Sequence, residues 1–288
     1  MHVFINDCII PEEKAYIHIK DRGFMLGDGI FETCKVQNGH IEFFREHYNR
    51  LLDSANALFI PFHYKFDELK KICHELIEAN DLMNKTSAMR ITLTRGIGLR
   101  GINLPEKPSP TLCISVTNYI AQNDHYPRAF ITSIKRNPFS VMTKHKTLNY
   151  IEPILARHEA QSEGFDEGIM LNTDGFITEC SIANIFFVKN NIVTTPCVDS
   201  GILPGIMRNH IIRLCRKNNI PVFEKKINSD EALNSDEIFQ TNSLIGIQPL
   251  SSINHRIFCV NNFEVTRQLF KLYNNTNIDQ RFQADEKK

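Results

Sequence analysis

Asn38-Gly39 stands between IFETCKV and HIEFF, and an Asn-Gly pair set between alternating apolar segments is the sharpest hairpin signal in this chain. It makes the flanking segments adjacent antiparallel strands. A second polar turn, Asn6-Asp7, separates VFIND (3–7) from CIIPEEKAYIHI (8–19) and predicts another pair of short strands. Leu51, Leu52, Ala55 and Leu58 then recur at helical spacing, as do Leu69, Ile72, Cys73, Leu76 and Ile77. Hairpins mixed with helices, without regular alternation, predict an α+β fold rather than a doubly wound parallel sheet.

Strands AMRITLTR and PTLCISVTNY follow, separated by a loop rich in Gly and Pro. The polar segment IAQNDHYPR contains Pro127 and reads as a linker over 120–127, dividing a domain over 1–119 from a larger one over 128–288. The second half opens with strand AFITSIKR and passes through helix IMRNHIIRLCRKNN and strands PVFEKKI and EIFQTNSL. Helix NFEVTRQLFKLYNN closes it, and the polar IDQRFQADEKK is expected to fray.

Composition narrows the function. Lys+Arg and Asp+Glu balance at 33 each, so no global basic field points to nucleic acid or an anionic membrane. A small-molecule substrate is the better expectation. The eight cysteines are scattered without a C-x-x-C, which fits reduced thiols. No apolar run approaches the ~18 residues of a membrane span, and no basic segment precedes an apolar one at the start, so the cytoplasm is the expected compartment.

The chemistry concentrates between Lys144 and Arg208. Lys144 and Lys146 precede a helix whose first turn carries Glu152-Pro153. Either can be a solvated surface residue, or a lysine that forms a Schiff base with an aldehyde. Glu179 lies in FITECSIANIFFV, a strand pair so apolar that its carboxylate needs a partner: a backbone group, an arginine, or a protonated ring nitrogen. GILPGIMR sets Pro204-Gly205 at the mouth of a helix, whose first N–H groups, on Ile206 and Met207, form a seat for phosphate. Thr241-Asn242-Ser243 adds polar donors after a strand.

Elsewhere, GIGLRG at 96–101 satisfies G-x-G-x-x-G, but INLPEKPSP follows where a dinucleotide site needs a helix. What remains is a loop carrying Arg95 and Arg100, two guanidiniums suited to a carboxylate. Arg50, one helical turn after His47, can reach an anion or pair with Glu46. The histidines form no H-x-x-x-H or Cys/His cluster, so no metal site is expected.

The order of these segments resembles the signature of the class IV pyridoxal-phosphate enzymes: K-x-L-N at Lys146, T-E-C-S-x-x-N-x-F at 178–186, then T-P and G-I-L-x-G-I-x-R at 201–208. The resemblance extends to G-D-G-x-F-E-T at 27–33, H-x-x-R-L at 47–51 and T-N-S-L at 241–244. That family holds branched-chain and D-amino acid aminotransferases and 4-amino-4-deoxychorismate lyase. It implies a two-domain fold-type IV homodimer with pyridoxal 5'-phosphate as cofactor, held between domains. By position it makes Lys146 the Schiff-base lysine and proton-transfer base, and Glu179 the partner of the pyridine nitrogen. Arg50, the backbone of Ile206 and Met207, and the Asn242-Ser243 turn would hold the phosphate, with Tyr150 near the ring hydroxyl.

Within the family, RGIGLRG is similar to the lyase's R-G-x-G-x-R-G loop, with Arg100 at its substrate-carboxylate arginine. A D-amino acid aminotransferase usually has a tyrosine where Phe31 stands and a histidine at Ile102. Arg95, Arg100 and Phe31 are therefore the expected substrate residues. The reading is a lyase of aminodeoxychorismate in folate biosynthesis, giving 4-aminobenzoate and pyruvate. The alternatives are a class IV aminotransferase for branched-chain or D-amino acids, and a non-catalytic binding module on the same fold.

Overall fold

The computed structural model describes residues 1–120 and 125–285. It divides into two compact units, Met1–Ala121 with His145–Asn149, and Gln122–Lys144 with Tyr150–Lys288. Of the linker expected over 120–127, residues 121–124 lie outside the described residues. Lys146, expected in the domain over 128–288, belongs to the first unit, where its segment pairs with a strand.

The first unit begins with β1 (His2–Ile5), β2 (Cys8–Pro11), α1 (Arg22–Leu26), β3 (Gly29–Gln37) and β4 (His40–Ile41). It continues with α2 (Phe44–Ala57), α3 (Phe66–Ala79), β5 (Thr86–Thr94) and β6 (Thr111–Asn118). The six strands form one antiparallel sheet in the order β2-β1-β6-β5-β3-β4. Asn38 and Gly39 both have positive φ, and Gln37 pairs with His40 across them, the geometry that favours Asn-Gly in a two-residue hairpin.

The strand expected within 8–19 covers only Cys8–Pro11: it stops at Pro11, which has no N–H for a further ladder bond, and Glu12–Lys14 form a 3-10 turn. Leu51 and Ala55 of α2 and Leu69, Cys73, Leu76 and Ile77 of α3 are buried in one cluster with Val36, Met89, Ile91 and Ile114 of the sheet. Each such aliphatic side chain contributes about 1.5–3 kcal/mol by leaving water. The period-3.6 stripe seen in the sequence is thus the face the helices bury.

The second unit contains β7 (Arg128–Arg136), α4 (Ile151–Ser162), β8 (Glu167–Asn172), β9 (Ile177–Cys180), β10 (Asn184–Lys189) and β11 (Ile192–Pro196). After these come α5 (Ile206–Lys217), β12 (Val222–Lys225), α6 (Ser229–Leu233), β13 (Glu237–Asn242), β14 (Gly246–Pro249), β15 (Ser252–Ile253), β16 (Arg256–Ile257) and α7 (Glu264–Asp285). Two five-stranded sheets result, β12-β11-β10-β13-β14 and β16-β15-β7-β8-β9. Ile169, Ile177 and Ile253 of one sheet share a buried cluster with Ile185, Phe187 and Ile238 of the other.

FITECSIANIFFV is therefore not one strand pair. β9 pairs with β8 while β10 pairs with β11 and β13, because the chain turns at 181–183, where Cys180 N–H donates to Ala183 O at 2.8 Å. The tail expected to fray from 278 continues α7 as far as Asp285, and no glycine or proline interrupts that run. No helix among the described residues is long and apolar enough to cross a membrane.

Candidate active site

In the first unit the site is built on β3. Pairing with β5 occupies one edge of this strand, and β4 covers only Val36 and Gln37 of the other. The open part of that edge, Gly29 to Phe31, is taken by the lysine segment. Leu148 N–H donates to Gly29 O at 2.9 Å, Phe31 N–H donates to Lys146 O at 2.8 Å, and Thr147 bridges Ile30. Gly29 fits closely between its neighbours, since a Cβ there would lie 2.8 Å from Leu148 Cδ1 and from the backbone Leu93 O of β5. The pairing holds the Lys146 backbone, and its half-buried side chain carries Nζ to 4.5 Å from the Phe31 ring centroid. Arg90 lies over the same ring, Cζ at 3.7 Å. Lys144, by contrast, is exposed at the end of a 3-10 turn in the second unit.

Strand alternation turns Glu32 to the opposite face from Phe31, into the helices. His47 and Arg50, one turn apart on α2, both meet it. Arg50 donates Nε and Nη2 to the two Glu32 oxygens, each at 2.7 Å, and His47 Nδ1 lies 2.6 Å from Oε2. Of the two partners open to Arg50, an anion or Glu46, the carboxylate of Glu32 is one it meets with both donors. Burial alone would raise the Glu32 pKa, but the charge and hydrogen bonds of Arg50, with His47, hold it at about 2.

The two loop arginines separate sharply. Arg95 is buried and donates to Asp28 from Nε (2.8 Å) and Nη2 (2.9 Å), to Phe59 O from Nη1 (2.6 Å) and to Leu58 O from Nη2 (2.9 Å). These four bonds make it an anchor of the loop base, where its Nε, Nη1 and Nη2 all donate within the protein. Arg100 is exposed and has no hydrogen bond or ion pair among the described residues.

In the second unit Glu179 sits on β9 with its side chain 13% exposed. Its Oε1 pairs with Nη1 of Arg136, at the end of β7, and its Oε2 accepts Leu203 N–H at 3.0 Å. Arg136 is also close enough to Tyr150 and Glu152 to feel their charge, although burial is the larger influence on it and lowers its pKa. Tyr150, half-buried, caps the start of α4. Leu203 leads into α5, whose N-cap Gly205 has no side-chain hydrogen bond.

A Cβ at Gly205 would meet Asn184 Oδ1 at 2.0 Å, while Asn184 Nδ2 donates to Thr241 O at 2.7 Å. Asn184 thus packs the start of α5 against the end of β13. Ile206 and Met207 are buried through their side chains, and first-turn N–H groups have no partner within the helix. The Asn242 side chain closes the following turn: Oδ1 accepts from Leu244 and Ile245 N–H, each at 2.9 Å, and Nδ2 donates to Ile182 O at 3.3 Å. Ser243, half-buried, follows it.

Each unit thus gathers its own set: Lys146, Phe31, Arg50 and Arg100 in the first, and Glu179, Tyr150, Ile206, Met207, Asn242 and Ser243 in the second. Sequence reasoning missed Arg22, Asp28, Arg136 and Asn184. Asp28 was visible inside the glycine pair of G-D-G, and Asn184 inside the motif at 178–186, whereas Arg136 is simply the last residue of an alternating strand.

Comparisons with known proteins bear on this arrangement. The family model described as Amino-transferase class IV matches residues 29–253. A Methanocaldococcus jannaschii protein provisionally named as a branched-chain-amino-acid aminotransferase is 32% identical over 267 residues, covering 92% of this chain and 91% of its own. A Legionella pneumophila structure provisionally named as a 4-amino-4-deoxychorismate lyase has a TM-score of 0.85 at 31% identity, covering 92% of this chain and 96% of its own. The PLP-form structure of a branched-chain amino acid aminotransferase from Thermobaculum terrenum has a TM-score of 0.86 at 25% identity, covering 96% and 93%.

Proposed function

The chain belongs to the amino-transferase class IV family, and we propose that within it the protein is a pyridoxal-phosphate-dependent lyase converting 4-amino-4-deoxychorismate to 4-aminobenzoate and pyruvate. The donor set fits the cofactor. Lys146 offers a half-buried primary amine on a paired backbone. Glu179 offers a carboxylate fixed by Arg136 and Leu203 N–H, next to the start of α5. In this reading Lys146 holds the aldehyde carbon, Glu179 the ring nitrogen and Tyr150 the ring hydroxyl. Ile206 and Met207 N–H, the Asn242-Ser243 turn and the charge of Arg50 hold the phosphate.

When bound, the cofactor supplies an electron-accepting ring that eases bond breaking at an amine-bearing carbon. The Lys146 amine takes the proton from that carbon of the substrate. Glu179 holds a proton on the ring nitrogen. Arg100 orients a substrate carboxylate through its planar fork, and its contribution is proximity. The C–O bond at the neighbouring ring carbon breaks, and the three-carbon side chain leaves as enolpyruvate, which takes up the proton and becomes pyruvate; the aromatic amine left behind makes the reaction run one way. The reading includes a cytoplasmic homodimer acting on a small molecule with an amine and a carboxylate.

The observation that carries the lyase over a transaminase is the division of labour in the RGIGLRG loop: Arg95 anchors it to Asp28 while Arg100 stays exposed and unpaired among the described residues. The second reading, an aminotransferase for branched-chain amino acids, draws on the names of the M. jannaschii and T. terrenum relatives. The test gives pure enzyme aminodeoxychorismate in one tube and a panel of L- and D-amino acids, without a keto-acid acceptor, in another. Pyruvate and 4-aminobenzoate in the first, with no pyridoxamine phosphate in the second, is the expected result. The reverse outcome establishes the transaminase, and protein that stays colourless with pyridoxal phosphate points to a binding module.

A further inference from the structure

We propose that Arg22 is a positioning residue that fixes the 97–104 loop and thereby sets the affinity for substrate, an inference that rests on the reading of Arg100 as the carboxylate-binding arginine. Arg22 opens α1 yet is only 5% exposed, and a buried charge persists only when paired and hydrogen-bonded. Its Nε donates to Asp28 Oδ2 at 2.7 Å. The rest of the guanidinium faces three successive carbonyls of the loop: Nη1 lies 3.1 Å from Gly101 O and 3.2 Å from Asn103 O, and Nη2 lies 3.5 Å from Ile102 O.

The ascending limb of the same loop is tied to the backbone around Arg22. Arg22 N–H donates to Gly96 O at 2.9 Å, Gly98 N–H donates to Lys20 O at 3.2 Å, and Ile97 bridges Asp21. Gly98 lets the arginine stem pass, since a Cβ there would meet Arg22 Cδ at 2.7 Å. Gly101 has a φ of +113°, which an L side chain rarely adopts. Between the two tied limbs Leu99, 93% exposed, and Arg100 project. Their direction is therefore set by the guanidinium beneath them.

Asp28 links this clamp to the reactive segment. Arg95 also holds it, and the neighbouring Gly27 and Gly29 carbonyls accept from Asn149 Nδ2 and Leu148 N–H. A planar fork of five donors can serve one carboxylate and several carbonyls together, which a lysine ammonium on a flexible stem cannot do. Arg22→Lys keeps a charge beside Asp28 and removes the clamp.

The experiment compares full-length, cofactor-loaded wild type with Arg22→Lys, Arg100→Ala and the double variant. It measures kcat and KM on whichever substrate the wild type turns over, the visible cofactor band, and trypsin cleavage after Arg100 by mass spectrometry. For Arg22→Lys, KM rises about tenfold and kcat stays within about twofold, the pattern of a misplaced binding group. The cofactor band is unchanged, cleavage after Arg100 accelerates, and the double variant has the KM of Arg100→Ala. Wild-type KM together with wild-type cleavage in Arg22→Lys overturns the proposal. An unchanged KM in Arg100→Ala refutes the substrate role of Arg100 and with it the affinity part of the proposal, while the cleavage rate still decides whether Arg22 fixes the loop. If Arg22→Lys does not fold, Gly98→Ala, which crowds the Arg22 stem without altering charge, is judged by the same measurements.

Discussion

Nζ of Lys146 lies 4.5 Å from the centroid of the Phe31 ring. The two residues are joined twice, since Phe31 N–H also donates to Lys146 O at 2.8 Å. Backbone pairing fixes where the lysine starts, and the ring's negative face steers where its amine ends.

Phe31→Leu keeps an apolar side chain and the backbone pairing but removes the π-face. Away from bulk water a cation–π contact is worth about 1–2 kcal/mol, so the expected fall in kcat is roughly five- to thirtyfold, beside about 1 kcal/mol of stability lost to the smaller side chain. A kcat within twofold of wild type shows that the ring only fills space.

Glu32 gives a pH signature in stability. Its folded pKa of about 2 lies below the ordinary 4.5, so its contribution is complete above pH 4.5 and is lost as pH falls through that window toward 2. Linkage makes that contribution roughly 3 kcal/mol. Glu32→Gln is expected to be less stable by about this amount at pH 7, with the gap closing steadily below pH 4.5. Urea unfolding of both proteins from pH 7 to 3 checks this, and a gap independent of pH contradicts it.

Arg95 and Arg100 are predicted to fail in different ways. Arg95→Met removes a buried guanidinium from Asp28 and two carbonyls, and it lowers stability by roughly 3 kcal/mol. Arg100→Ala leaves the melting temperature within about 1 °C, because an exposed unpaired charge contributes little, and raises KM instead. Thermal unfolding and steady-state kinetics on the two variants separate these roles. A stable Arg95→Met with a raised KM would exchange them.

That distinction marks what the sequence can reveal. Asn38-Gly39, Asn6-Asp7 and the stripes of α2 and α3 are local signals, and each appears in the structure where the spacing predicts it. Arg95 and Arg100 carry identical side chains on one loop, and only the arrival of Asp28 beneath Arg95 tells them apart. The pairing of Lys146 with Phe31 spans more than a hundred residues and leaves no mark in periodicity. The apolar run from 176 to 188 conceals a change of sheet at 181–183, because a buried strand reads the same in either sheet.

Arg136 is predicted to act through Glu179. Arg136→Met leaves the carboxylate with Leu203 N–H and without its cation. Loss of a charged hydrogen bond, at about 1.5–3 kcal/mol, weakens pyridoxal phosphate binding by tenfold or somewhat more. Titration of apoprotein by the visible band measures this Kd, and an unchanged value removes Arg136 from the account.

The most direct test of the site is to load the protein with pyridoxal phosphate, reduce it with borohydride, and locate the fixed cofactor by peptide mass spectrometry. The label is expected on Lys146, with Lys146→Ala unlabelled and Lys144→Ala labelled like the wild type. A label on Lys144, or none on the wild type, contradicts it.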